Sequence, residues 1–366
     1  MRVALPAWRL FTPRTGVGAC LWHLLDHYRA LAPNDEFVVL HDGAPPELPV
    51  APNIVARRVR APLVENNLTW HELALPLAIR RARVDLVHNI AYTLPWAVRG
   101  PSVVTVHDVS YVRHPEWFPA KAGAYLRWGT ALAARRARVL VADTEFGARE
   151  LAQVYGLRAE RLAVVPLGVE PAYSPAADAE RVRRAYDLPA RFVLYLGGIH
   201  TRRRADLLVA ACARVLPSRD AHLVVAGPAA GGCCDLGAQA ARLGLAPRVR
   251  LLGYVPEADK PGLYRAAACF AWPSVYEGFG LPPLEAMACG TPTIVARATS
   301  LPEVVGDGAL LVAPDDEAAL ADALARLLDE PATARELAAR GLARAAGFSW
   351  RAAAKRMLAI YARVVA

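Results

Sequence analysis

The sequence has no apolar run approaching the roughly 20 residues of a membrane-spanning helix. Its start, Met1-Arg-Val-Ala-Leu-Pro6, has neither an apolar h-region nor a small-residue cleavage site, so it reads as a first strand and a cytoplasmic location is expected. Cys-x-x-Cys spacing is also missing, so Cys20, Cys212, Cys233, Cys234, Cys269 and Cys289 offer no zinc ribbon and no dithiol redox motif. Four of them stand in apolar or helical contexts and read as core residues of a reducing compartment, while Cys233 and Cys234 fall in a Gly-rich loop. Lysine is scarce, at three of 43 basic residues, and the net charge of +9 is not gathered in an arm. Residues 1–170 carry 20 basic and 15 acidic side chains, and residues 171–366 carry 23 and 19. With no basic module interleaved with aromatics, a nucleic-acid partner is not expected. Asp-x-Asp, the usual metal-binding pair for a diphosphate, occurs nowhere, so no metal site is expected.

What is present suits two α/β domains, since 366 residues with 55% hydrophobic content exceed one ordinary core. The first strand leads through a long loop to Arg14-Thr-Gly-Val-Gly-Ala19, where Gly16 and Gly18 stand at the entrance to a helix over residues 20–31. Backbone N–H groups at such an entrance can receive a diphosphate, although no third glycine completes Gly-x-Gly-x-x-Gly. Residues 37–41 read as a second strand and residues 66–83 as a helix bent at Pro76. Asp85-Leu-Val-His-Asn89 and Ser102-Val-Val-Thr-Val-His-Asp108 read as buried strands ending in polar residues. Parallel sheets place ligands at the carboxyl ends of their strands, so His88, Asn89, His107 and Asp108 are expected at a crevice. Trp117, Phe118 and Trp128 follow, read as core, as an acceptor-stacking surface or as a peripheral membrane contact at the inner face.

The second half opens on Phe192-Val-Leu-Tyr-Leu-Gly-Gly-Ile199, a strand ending in Gly197 and Gly198, and then His200-Thr-Arg-Arg-Arg204. Three arginines before a helix oppose its dipole unless an anion meets them, and a pyrophosphate fits. The centre of the chain is Tyr276-Glu277-Gly278-Phe279-Gly280-Leu281-Pro282-Pro283-Leu284-Glu285, set between strand-like residues 267–273 and 293–296. Its glycines allow close backbone approach, its prolines suit a first helical turn, and Gly290 before Pro292 ends the helix. Glu277 and Glu285 bracket this turn, one at the strand end and one a turn into the helix, and should face one crevice.

This stretch resembles the Glu-x7-Glu signature of the retaining glycosyltransferases called family 4, and Ser300-Leu-Pro-Glu-Val-Val-Gly-Asp-Gly-Ala309 and Pro314-Asp-Asp316 follow in that family's order. The resemblance implies an α/β, GT-B fold of two facing Rossmann-like domains. The expected division is residues 1–172 on the acceptor side, 173–190 as linker, 191–349 as the nucleotide-sugar domain, and 350–366 as a helix crossing back to the first domain. It further implies that His107 contacts the donor sugar, and that the loop of Gly16 and Gly18 meets the donor phosphates. Tyr254 and Val255 would line the base, largely through backbone groups, with Gly198 close to the donor. Arg202 and Arg203 take the positions that bind phosphate. Here Thr201 and Arg204 replace a proline and an asparagine common in the family, and Arg203 replaces a lysine, which leaves open how Arg202 and Arg203 share the phosphates. Glu285 would hold the ribose hydroxyls, with Glu277 and the amides of Phe279, Gly280 and Leu281 on the sugar.

The function so implied is transfer of a hexose, with retention and without metal or other cofactor, from a nucleotide-diphospho-sugar to a glycan or lipid-linked acceptor. His107-Asp108 and Gly-Asp-Gly-Ala contexts look most like mannosyltransferases, which makes GDP-mannose the first donor to consider. A non-catalytic nucleotide-sugar-binding subunit, or an epimerase or phosphorylase on the same fold, is the alternative.

Overall fold

A computed structural model describes residues 1–8, 16–43, 47–61, 67–229 and 234–366. Arg14, Thr15, Asn66 and Cys233 of the readings above lie outside the described residues. The chain forms two compact units, Met1–Gly168 with Trp350–Ala366, and Val169–Ser349.

The first unit is built on a seven-stranded, wholly parallel sheet in the order β3-β2-β1-β4-β5-β6-β7. Its strands are β1 (Arg2–Pro6), β2 (Glu36–His41), β3 (Ile54–Arg58), β4 (Leu86–Asn89), β5 (Ser102–Thr105), β6 (Val139–Ala142) and β7 (Leu162–Val164). β4, β5 and β6 are buried at every residue, polar His88, Asn89, Ser102 and Thr105 included, as strands of a sheet covered on both faces should be. The edge strand β3 has no buried residue, and its short run Ile54-Val-Ala56 is too brief to fix its pairing with β2 from sequence.

The helix expected over residues 66–83 is interrupted otherwise than by a simple bend. A π-helical turn, Trp70–Ala74, precedes the helix Leu75–Ala82, and the Leu75 N–H reaches back five residues to the Trp70 carbonyl. Pro76 has no N–H to give to the Glu72 carbonyl, so the ladder slips by one residue just before it.

The helix Trp350–Val365 packs on the helix Gly16–Leu31 and against β4 and β5. His23 stacks on Trp350 at 4.8 Å, and the Tyr361 hydroxyl lies 3.2 Å from the Tyr28 hydroxyl and 2.5 Å from His88 Nδ1. His88 is fully buried, with Thr105 Oγ1 2.8 Å from its other nitrogen, and burial drives its pKa down to about 3. This corrects the expectation that His88 lines a crevice. It is a neutral core residue that fastens the last helix to the sheet. Asn89 is likewise committed, donating to the Thr93 carbonyl and accepting from the Ala91 N–H.

The second unit holds a six-stranded parallel sheet in the order β10-β9-β8-β11-β12-β13. Here β8 is Phe192–Leu196, β9 His222–Ala226, β10 Val249–Gly253, β11 Cys269–Trp272, β12 Thr293–Ala296 and β13 Leu310–Val312. Residues 173–190, read as a linker, belong to this unit. The helix Ala179–Ala185 is capped by Asp178 and packs on the helix Lys260–Ala266. Val182 is wholly buried there against Gly262, whose Cβ, if it had one, would come within 2.5 Å of a Val182 methyl. Arg183 closes the joint by donating to the carbonyls of Pro189, Ala190 and Ala266.

Candidate functional site

Chemistry-bearing side chains of the second unit gather where β8, β11 and β12 end. After β11 the chain turns through Ser274 and Glu277 to Gly280, whose φ of +108° opens the helix Leu281–Ala288 with two prolines in its first turn. A Cβ at Gly280 would strike Leu301 at 2.7 Å. The turn is held from behind by Ser300, whose hydroxyl lies 2.8 Å from the Glu277 carbonyl and 3.0 Å from that of Phe279. The Glu277 N–H bonds Thr299 Oγ1 at 3.0 Å, and Phe279 packs edge-on against Phe348.

The Glu277 carboxylate is buried and held through one oxygen. Its Oε1 accepts from Ser274 Oγ at 2.9 Å, Trp272 Nε1 at 3.2 Å and Arg203 Nε at 3.3 Å. Among the described residues its Oε2 has no partner, and that oxygen is not sealed from solvent. Three donors on one oxygen fix the carboxyl and leave the other oxygen for a ligand.

Arg203 is held as firmly. Its guanidinium stacks over the Trp272 ring at 5.0 Å, and Nη1 donates to the Gly198 carbonyl at 3.0 Å. Nη2 makes no hydrogen bond with the described residues. Arg204 takes another course. In a left-handed conformation (φ +50°), it forms ion pairs with Asp206 and Asp315. The Arg202 carbonyl accepts from the Val275 N–H at 2.8 Å, tying the arginine loop to the Glu277 loop. Gly198 lies beside Arg203, but Gly197 is the position that demands glycine, with φ +152° and a Trp272 ring atom 2.6 Å from where a Cβ would stand.

Glu285 sits one turn into the helix, half-buried, and accepts from the Tyr264 hydroxyl at 2.9 Å. Burial pushes its carboxyl up to about 7, with Glu257 and Glu170 adding to the rise and Lys260 and Tyr264 opposing it. After β10, Tyr254 is exposed and Val255 buried.

In the first unit, His107 stands just past β5 with Asp143 Oδ2 2.7 Å from Nδ1 and the Ile90 carbonyl 3.1 Å from Nε2. Burial alone would lower its pKa, but Asp143, Asp108 and the Ile90 carbonyl outweigh that and raise it. Both nitrogens face acceptors, so the ring is best satisfied as an imidazolium donating to both. Asp108 accepts from Ser110 N–H and Oγ, capping the turn after β5. Gly16 and Gly18 begin the helix Gly16–Leu31, and a Cβ at Gly16 would meet nothing within 4 Å. Of the aromatics that follow, Trp117 stacks on His114 at 3.9 Å, Phe118 meets Tyr111, and Trp128 stays half exposed.

Sequence reasoning missed Trp272, Ser274 and Thr299. Trp272 looked like the end of an apolar strand, and nothing in its neighbours marks its indole N–H as a partner of Glu277. Ser300 lay in a quoted motif without a role, and its two carbonyl contacts supply one.

The family model described as Glycosyltransferase Family 4 matches residues 15–173, and the one described as Glycosyl transferases group 1 matches residues 190–330. The chain is 34% identical over 248 residues to O-antigen chain mannosyltransferase B of Escherichia coli, covering 66% of this chain and 65% of that one. It is 38% identical over 235 residues to D-inositol 3-phosphate glycosyltransferase of Frankia alni, covering 61% and 58%. The match thus spans less than two thirds of the length of either relative. Among solved structures, sucrose-phosphate synthase from Thermosynechococcus elongatus superposes with a TM-score of 0.81 at 24% identity, over 100% of this chain and 99% of that one. HepE of Anabaena, solved with UDP and glucose, superposes at 0.78 with 22% identity, over 99% and 100%. These likenesses show the GT-B fold.

Proposed function

The chain belongs to the glycosyltransferases of family 4 and group 1, and from that premise we propose that it transfers a hexose, with retention, from a nucleotide-diphospho-sugar to a glycan or lipid-linked acceptor. The observation that carries this reading is the pair Glu277 and Arg203. Among the described residues, one keeps a carboxylate oxygen without a partner and the other a guanidinium nitrogen without one, beside the helix N-terminus that begins at Leu281.

In this reading Arg203, with Arg202, binds the diphosphate, and Glu285 holds the ribose hydroxyls. Glu277 and the amides of Phe279, Gly280 and Leu281 receive the sugar, and Tyr254 and Val255 border the base. Gly198, beside Arg203, lies next to the diphosphate in this reading. The bond between the anomeric carbon and the phosphate oxygen breaks, and its electron pair leaves with the nucleoside diphosphate. The acceptor oxygen attacks from the same face and its proton passes to the departing phosphate. Charge on the leaving group is met by arginine and helix N–H groups, without a metal ion. Mannose from GDP-mannose is the first donor to test, because one relative is a mannosyltransferase. UDP-glucose is second, because HepE was solved with UDP and glucose. No helix among the described residues is long and apolar enough to cross a membrane. Peripheral contact, if the acceptor is lipid-linked, falls to the exposed Trp96 and Trp128 of the first unit.

The test is thermal shift against nucleoside diphosphates and their sugars, then turnover with and without acceptor. A donor at 100 times its dissociation constant should stabilise by about 2.7 kcal/mol. Turnover should require acceptor and should persist in EDTA. Donor binding without transfer would select the non-catalytic reading, and strict dependence on added divalent metal would overturn the arginine assignment.

Glu285 gives the reading a pH signature. A carboxylate accepts two ribose hydroxyls, whereas the protonated acid loses an acceptor. With its pKa near 7, donor affinity should fall about tenfold from pH 8 to pH 6. Glu285→Gln should bind weakly and flatten the profile. Calorimetry at the two pH values decides, and an unchanged slope in Glu285→Gln would place the titration elsewhere.

A further inference from the structure

A cavity of about 520 Å³ opens at the N-terminal edge of the first unit's sheet, the opposite end of the strands from His107. Ile79, Val84 and Val98 give it an apolar floor, and Arg80, Arg83 and Arg99 stand in its wall. Arg80 and Arg83 come from the end of the helix Leu75–Ala82, where cations suit the dipole. Arg99 comes from the loop before β5, so helix capping does not account for the cluster. Among the described residues none of these three guanidiniums makes a hydrogen bond or ion pair. The single carboxylate in the wall, Asp85, already accepts from the Arg2 N–H at 2.7 Å. Arg136 adds a fourth charge nearby, donating to the carbonyls of Trp96 and Val98, and burial first, then repulsion from Arg99, lower its pKa.

Three exposed guanidiniums around one apolar cavity give it a positive field that draws an anion. Guanidinium forks match the oxygens of phosphate, and the volume is that of a small-molecule site. We infer that this cavity is a second ligand site, for a phosphate group carried on an apolar body. The exposed Leu77 at its mouth and Trp96, next to the lining residue Ala97, continue the apolar path outward.

The test is calorimetry on the full chain, with nucleoside diphosphate present to occupy the other site. The titrants are dihexanoyl phosphatidic acid kept monomeric, and inorganic phosphate. The amphiphile should bind saturably and about tenfold tighter than phosphate alone. An Arg80→Glu, Arg99→Glu double variant should weaken it by about tenfold or more. That variant should bind nucleoside diphosphate as the wild type does, which shows that it folds. Sedimentation with phosphatidylglycerol vesicles, against phosphatidylcholine vesicles, then assigns the source. Capture by the anionic vesicles points to a lipid headgroup, and monomer binding without capture points to a free organic phosphate. No saturable amphiphile binding, amphiphile affinity equal to that of phosphate, or equal affinity in the double variant would overturn the inference.

Discussion

Glu277→Gln should fold, bind nucleoside diphosphate and lose one to two orders of magnitude in kcat, about 1.4–2.7 kcal/mol of transition-state stabilisation. Oε1 is occupied by Ser274, Trp272 and Arg203, and an amide oxygen in its place can still accept from all three. The change therefore falls on the side of Oε2, which meets no donor among the described residues and would carry negative charge toward the sugar. That charge matters most when the anomeric centre turns positive, so the loss should appear in kcat and little in donor binding. Glu277→Ala would be a poorer experiment, because it also strands the Trp272 N–H and the Arg203 charge. Steady-state kinetics with calorimetry of the nucleoside diphosphate gives the answer. An intact kcat in Glu277→Gln would remove Glu277 from the chemistry.

Arg203→Ala should weaken nucleoside diphosphate binding by about 1.5–3 kcal/mol, the worth of a charged hydrogen bond at a poorly solvated phosphate. Arg204→Ala should leave it almost unchanged. The two are neighbours with the same side chain, and the difference lies in what holds them. Arg204 is spent on Asp206 and Asp315, while Arg203 keeps one nitrogen uncommitted. Arg203→Ala also leaves the Glu277 carboxylate without its ion pair, at 9% exposure, so some stability should be lost as well. Arg203→Lys separates these effects, since it keeps the charge and gives up the planar stack on Trp272. Equal donor affinity in wild type and Arg203→Ala would move the diphosphate elsewhere, and an equal loss in Arg204→Ala would show that the ion pairs do not hold.

Much of this site was legible because it is written in residues with few structural alternatives. Gly280-Leu281 before two prolines suits a left-handed turn opening a helix, and the helix Leu281–Ala288 begins there. Buried parallel strands such as β8 and β12 are plain apolar runs. What the sequence hid depends on contacts between distant segments. His88 ends a strand in polar company and so resembles a ligand-facing residue. Only Tyr361, 273 positions later, makes it a core residue. The residues read as a linker look loop-like until Val182 meets Gly262. The π-helical turn before Pro76 leaves no mark in periodicity, because a one-residue slip lies within the tolerance of an amphipathic pattern.

The seat of the helix Trp350–Val365 has a consequence for the order of synthesis. The groove between the helix Gly16–Leu31 and strands β4 and β5 is complete in sequence by residue 105, but its filler emerges only after all of the second unit has been made. Until then the His88 ring and the Tyr28 hydroxyl lack their Tyr361 partner. The first unit to leave the ribosome is therefore the last to close, and its closure requires that translation has passed the helix Trp350–Val365.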